Sequence, residues 1–200
     1  MAKSRPSAPR GEAKRELLLD AAERVMIEQG YAGVTSRSVG LAAGAPAPLV
    51  HYYFPSLDDL FVALLHRGVE RSKERFQQAI ASPDPLRAVW EMNLEPRGTA
   101  FIMEITALSN HRDAVRQALV EISEDYQETQ IKGFAELFER LGVSREDFPP
   151  ELAVMAIGGI SRMLVRERAL GTTVGHDVAV QAIERFISRL SANEPTGAGA

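Results

Sequence analysis

The chain contains no cysteine, which excludes disulfides, thiol catalysis and thiolate metal sites and fits a reducing compartment. No apolar run approaches the roughly 18 residues needed to cross a bilayer, and the opening MAKSRPSAPRGEAKRE lacks the apolar stretch of a signal peptide. A cytoplasmic protein with no membrane partner is therefore expected. Histidine is scarce, and His51, His66, His111 and His176 show no metal-binding spacing. Neither G-x-S-x-G nor a G-x-x-x-x-G-K-[ST] phosphate loop occurs. No catalytic residue, metal or cofactor is expected, and the chain does not read as an enzyme.

What is present is enough apolar material for a core, 45% of 200 residues, in one domain or in a small domain fused to a larger one. The net charge of −4 hides an asymmetry. Residues 1–56 hold seven basic side chains against five acidic ones, whereas the remainder holds 16 against 22. A basic end on an acidic body is what a chain needs when only that end approaches a polyanion. Residues 1–12, rich in Pro, Ser, Ala and Arg without an apolar period, are expected to be a disordered basic arm. Such an arm could follow a DNA groove.

Residues 14–29 read as a first helix, with Leu17, Leu18, Ala21, Ala22, Val25 and Met26 at helical spacing and Gly30 as its stop. The central stretch is residues 35–54, TSRSVGLAAGAPAPLVHYYF. Thr35 can cap a second helix that buries Val39, Gly44 permits the left-handed turn that ends it, and a third short helix follows with Val50 and Tyr53 spaced by three. That is a helix-turn-helix layout. Ser56, with Asp59 three residues on, forms a capping box for a fourth helix running to about residue 81.

The order helix one, Gly30-Tyr31, Thr35, Ala43-Gly44-Ala45, then Leu49-Val50-His51-Tyr52-Tyr53-Phe54-Pro55-Ser56 before an acidic-capped helix resembles the DNA-binding domain of the TetR family of bacterial transcriptional regulators. The resemblance covers about residues 14–65 and rests on several spaced elements in one order; beyond it, only the helical pattern and the length agree. It implies an all-α chain of about nine helices: residues 13–56 as a three-helix helix-turn-helix domain, residues 57–192 as a ligand-binding and dimerisation domain, and residues 193–200 as a disordered tail. It also implies that the third helix enters the major groove of double-stranded DNA at a palindromic operator. Thr35, Ser36 and Arg37 then resemble the family's phosphate contacts, and Pro46, Ala47, Pro48, Leu49, His51 and Tyr52 lie on or beside the groove-facing surface. His51 and Tyr52 can donate to phosphate, and Leu49 could meet a thymine methyl.

The turn departs from the family pattern. Pro46 stands where Ser or Thr is usual, and Ala47 and Pro48 where polar or small flexible residues are usual. Because proline disfavours a helical conformation in the residue before it, the third helix is expected to begin at Pro48 rather than Ala47.

Further along, short breaks at residues 82–85 and 95–98 frame a helix over 85–93. Residues 99–110, nearly all apolar apart from Glu104, are expected to be a central buried helix, followed by helices over 113–141, 151–169 and 176–191. Gly158-Gly159 inside a helix suggests close approach of another helix or of a ligand. The resemblance implies that the last two helices pair with their copies in a homodimer. It also implies a pocket for a small apolar or amphipathic ligand, with Trp90, Met92, Phe101, Met103, Glu104, Tyr126, Phe134, Met155 and Met163 as candidate lining. Glu104, a carboxylate in an apolar helix, is the expected polar ligand contact. Together these readings describe a ligand-responsive repressor. The alternative is a helical-bundle enzyme or small-molecule carrier using an apolar cavity around Glu104.

Overall fold

Residues 10–191 are described by a computed structural model. Among them are nine α-helices, one 3-10 turn (Tyr31–Gly33) and no strand: α1 (Arg10–Gln29), α2 (Ser36–Ala43), α3 (Ala47–Tyr53), α4 (Leu57–Ile80), α5 (Pro85–Asn93), α6 (Pro96–Ser109), α7 (Asp113–Leu141), α8 (Pro150–Leu170) and α9 (His176–Ser191). The all-α class expected from the sequence is the class observed.

Several boundaries differ from expectation, each for a local reason. Helix α1 begins at Arg10, so residues 10–12 of the expected arm form its first turn. The rest of the arm, residues 1–9, and the tail, residues 193–200, lie outside the described residues. The stretch Glu95-Pro96-Arg97-Gly98, expected as a break, starts α6 instead. Proline suits a first helical position because its missing N–H would have no partner there. The Glu95 carboxylate accepts from the amides of Arg97 and Gly98, both at 2.8 Å, and so satisfies two free donors of the first turn. Helix α3 begins at Ala47, not Pro48.

Two compact units divide the described residues. The first comprises 10–67 and 101–119, the second 68–100 and 120–191, so α4, α6 and α7 each contribute to both.

In the first unit α1 packs on α2 and α2 on α3. Leu18, Leu19, Val25, Met26, Val39, Val50, Phe54, Leu60, Phe61, Leu64 and Leu65 are buried. Leu19, which the helical spacing did not single out, is fully buried, whereas Leu17 is half exposed. Arg67, on α4, ties this unit together. Its guanidinium donates to Asp20 and Glu23 at 2.7 Å each and to Glu16 at 3.3 Å, all on α1. Helix α6 is not the central buried helix expected: Ile105 and Leu108 are buried, but Met103, Thr106 and Ala107 are exposed.

The core of the second unit is aromatic. Phe76 meets Phe134 at 5.7 Å between ring centroids and Phe134 meets Phe138 at 5.6 Å, with Trp90, Leu86, Val89, Leu137 and Leu164 around them. Gly133 makes room for this on α7, because a Cβ there would lie 2.7 Å from the Phe76 ring.

Candidate nucleic-acid interface

The turn between α2 and α3 is built from three local devices. The Thr35 hydroxyl accepts from the Ser38 amide at 3.0 Å while the Ser38 hydroxyl accepts from the Thr35 amide at 2.9 Å, a reciprocal box that starts α2. Gly44, at φ 64°, ends α2 in the left-handed region that a side chain would strain. Gly40 lets the two helices approach: the Ala45 amide donates to its carbonyl at 2.8 Å, and a Cβ on Gly40 would sit 2.8 Å from the Ala45 oxygen. Arg24 from α1 donates to the Ala42 carbonyl at 3.0 Å, covering one of the last free acceptors of α2.

At the start of α3, Ala47 is helical despite the proline after it. Pro46, extended at φ −68° and ψ 142°, is the N-cap, and its carbonyl accepts from the Leu49 amide at 2.9 Å. Pro48 falls at the second helical position, where a missing N–H breaks no helical bond. No side chain caps α3, so its first turn is held by backbone and packing alone.

These devices bring the sequence-predicted DNA residues onto one unit. Thr35 and Arg37 are exposed and Ser36 half-buried at the start of α2, where first-turn amides have no acceptor within the helix. On α3, Val50 is buried, Pro48, His51 and Tyr52 are exposed, Ala47 and Leu49 are half-buried, and Pro46 is exposed just before them. Tyr52 stands edge-on to Tyr53, with centroids 5.1 Å apart at 89°, so its direction is set although it is 78% exposed. Thr35 already has its amide and hydroxyl engaged in the box, so Ser36 and Arg37 are the freer pair for a phosphate. Sequence reasoning missed Leu41, 84% exposed one turn beyond Arg37, and Arg15, whose guanidinium lies over the Phe54 ring at 5.3 Å.

The expected ligand-lining residues are divided between the two units. Phe101, Met103 and Glu104 belong to the first unit; the other six belong to the second. Met155 and Met163 are exposed on α8, and Met103 is exposed on α6. Glu104, the expected polar ligand contact, is occupied: its carboxylate accepts from the Tyr31 amide at 2.7 Å, just after Gly30 at φ 75°. Tyr31 in turn stacks on His111 at 6.3 Å. Glu104 is thus a clamp on the connection between α1 and α2.

Four candidates do share the core of the second unit: Trp90 and Phe134 within it, Met92 and Tyr126 packed against it. Burial pushes the Tyr126 phenol up to about 12, opposed by Arg75, and its hydroxyl makes a long 3.4 Å bond to the Ser72 carbonyl. The Trp90 indole nitrogen is buried without a hydrogen-bond partner. Elsewhere on this unit an open polar depression of about 590 Å³ is lined by Arg87, Gln181, Glu184, Arg185, Ser188 and Arg189, none of them an expected ligand residue. Among the described residues no group of His, Asp and Glu could hold a metal, and no helix is long and apolar enough to cross a membrane.

Residues 18–64 match the family described as bacterial regulatory proteins, tetR family. A curated relative, the HTH-type transcriptional regulator EthR of Mycolicibacterium smegmatis, is 26% identical over 87 residues, which are 42% of this chain and 40% of that protein. The chain therefore matches less than half the length of that relative. Among solved structures, Salmonella enterica GusR superposes with a TM-score of 0.71 at 15% identity, covering 94% of this chain and 99% of that one. A transcriptional-regulator structure from Saccharomonospora viridis in complex with choline superposes with a TM-score of 0.66 at 17% identity, covering 88% and 96%. At these identities the structural likeness speaks for the fold.

Proposed function

We propose that this chain, which belongs through residues 18–64 to the tetR family of bacterial regulatory proteins, is a DNA-binding transcriptional regulator that acts as a homodimer on a palindromic operator and represses until a small ligand releases it. The observation that carries the DNA-binding reading is the α2–α3 pair. A capped α2 presents Ser36 and Arg37, and a glycine-ended turn delivers α3 with Pro48, His51 and Tyr52 outward. Free amides and a guanidinium at a helix start suit a phosphate, and an exposed short helix beside them suits the major groove.

The dimer reading is supported by α8 and α9. Leu152, Met155, Met163 and Leu170 are exposed along α8 at helical spacing, and Val178 and Phe186 along α9. Gly158 is buried against the Arg162 side chain, but Gly159 faces open space where a second helix could come close. Exposed apolar side chains repeated along both helices support an association surface there, and two copies would supply the paired half-sites, about 34–36 Å apart, that a helix-turn-helix protein reads.

For the ligand, the core around Trp90 is the favoured place. A buried donor without a partner costs about 1–3 kcal/mol, and a ligand acceptor beside the Trp90 indole would recover it. The binding of choline by a protein of the same fold supports a small-molecule effector of some kind. Ligand would then favour a conformation that mismatches the operator, through its differential affinity for the two states. Acting on bacterial DNA assigns the protein to the cytoplasm.

The test is selection of genomic fragments by the ligand-free protein at moderate salt. One or a few palindromic duplexes should be retained, with affinity falling as salt rises. Retention of no specific duplex would refute the regulator reading.

A further inference from the structure

The outward face of α3 has few hydrogen-bonding groups. Of its seven residues, APLVHYY, only His51, Tyr52 and Tyr53 carry polar side-chain atoms. Pro48 and Tyr52 are exposed, Leu49 is half-exposed beside them, and Val50 and Phe54 are committed to the core. The Tyr52 ring is braced edge-on against Tyr53, so an aromatic surface is presented in a fixed direction.

An apolar surface laid on a base edge discriminates by what it covers. Donors and acceptors of G, C and A lose water without gaining a partner, which is unfavourable. The C5-methyl group of thymine is the one apolar feature of the major-groove edge, and covering it is favourable. Resting on the DNA-binding reading above, we propose that α3 reads thymine C5-methyl groups through Pro48, Leu49 and the ring of Tyr52, so that the preferred half-site is set by methyl positions rather than by hydrogen bonds to base edges. His51 then serves the phosphates.

The experiment uses the full chain and DNA alone. Duplexes are selected from a random pool at fixed moderate salt, and the best is remade with deoxyuridine in place of thymine, one position at a time and then together. Uracil pairs as thymine does and lacks only the methyl, so no variant's folding enters the comparison. Loss of one covered methyl should weaken binding about fourfold, and loss at both symmetry-related positions about sixteenfold. Leu49→Ala and Tyr52→Ala should each bring the thymine-over-uracil ratio towards one at a single position while leaving the others. If uracil at every position changes Kd less than twofold, the methyl reading is overturned and DNA binding stands. If both variants keep the full ratio everywhere, the assignment to α3 is overturned. A pool from which nothing is selected overturns the DNA-binding reading and this inference with it.

Discussion

Removing the Glu104 carboxylate tests the first unit at its most informative contact. Glu104 accepts from the Tyr31 amide at 2.7 Å in a partly buried setting, and Gly30, at φ 75°, fixes where that amide points. A hydrogen bond to a charged group contributes about 1.5–3 kcal/mol, and a donor left without a partner loses about 1–3 kcal/mol. Glu104→Ala should therefore destabilise the ligand-free protein by about 2 kcal/mol. For a chain of this size that lowers the melting temperature by about 4–8 °C, at about 2–4 °C per kcal/mol. Glu104→Gln keeps an acceptor oxygen and loses only the charge, so it should cost about half as much. Thermal and urea unfolding of the three proteins without ligand is the assay. The order wild type, Gln, Ala supports a clamp on the α1–α2 connection. If Glu104→Ala is as stable as wild type, the clamp is refuted and the carboxylate is free for a ligand after all.

Three other expectations follow from single contacts. Arg67→Ala removes donors to Asp20, Glu23 and Glu16 from a side chain only 10% exposed, and should destabilise by roughly 2–4 kcal/mol in urea unfolding; Arg67→Lys, with one compact ammonium, should recover only part of it. Tyr126, raised from 10.0 to about 12 by burial, keeps its proton in the folded state after the unfolded chain has lost it. Its contribution is full below pH 10 and is lost as pH rises towards 12, a fall of roughly 2–3 kcal/mol that Tyr126→Phe should abolish in unfolding measured across that range. Arg37→Ala should weaken DNA binding nearly equally for all sequences and flatten the salt slope by about one phosphate's worth; an altered base preference at unchanged slope would refute the phosphate role.

Legibility in the sequence followed the range of the interaction. Thr35 with Ser38, Gly44, and Ser56 with Asp59 act within a few residues, and the caps they form lie where the sequence alone indicated. Contacts that close long loops left no local signal. The Arg67 cluster spans 44–51 residues and the Glu104–Tyr31 bond 73, so the charges involved read only as surface or as ligand contacts. Two helix starts at prolines differ from expectation. Ala47 is helical although a following proline disfavours that conformation, and Pro96 opens α6 because its missing N–H has no helical partner at a first position. Helix α6 failed differently. An apolar composition says that a helix can be buried and leaves open which of its faces is covered, and Met103 and Ala107 are not.

The character of α3 and the proposed pairing of copies through α8 and α9 bear on one requirement, selectivity. Two methyl groups read by one α3, at about fourfold each, discriminate by roughly sixteenfold. Specific DNA-binding proteins prefer their sites over random DNA by about 10³–10⁷, so a single copy reading in this way falls far short. Two copies would square the factor, to roughly 250-fold, which leaves the remainder to be supplied by other means such as sequence-dependent shape. Charge does not close the gap, because phosphate contacts strengthen random and selected DNA alike. Residues 1–56 are in any case only slightly basic, with Arg24 donating to the end of α2 and Arg15 lying over Phe54. A reader with hydrogen-bonding arginines could gain selectivity within one half-site; one built on Pro48, Leu49 and Tyr52 gains it by repetition. On this reasoning the proposed pairing of two copies through α8 and α9 belongs to recognition as much as α3 does, since without a second copy there is nothing to multiply.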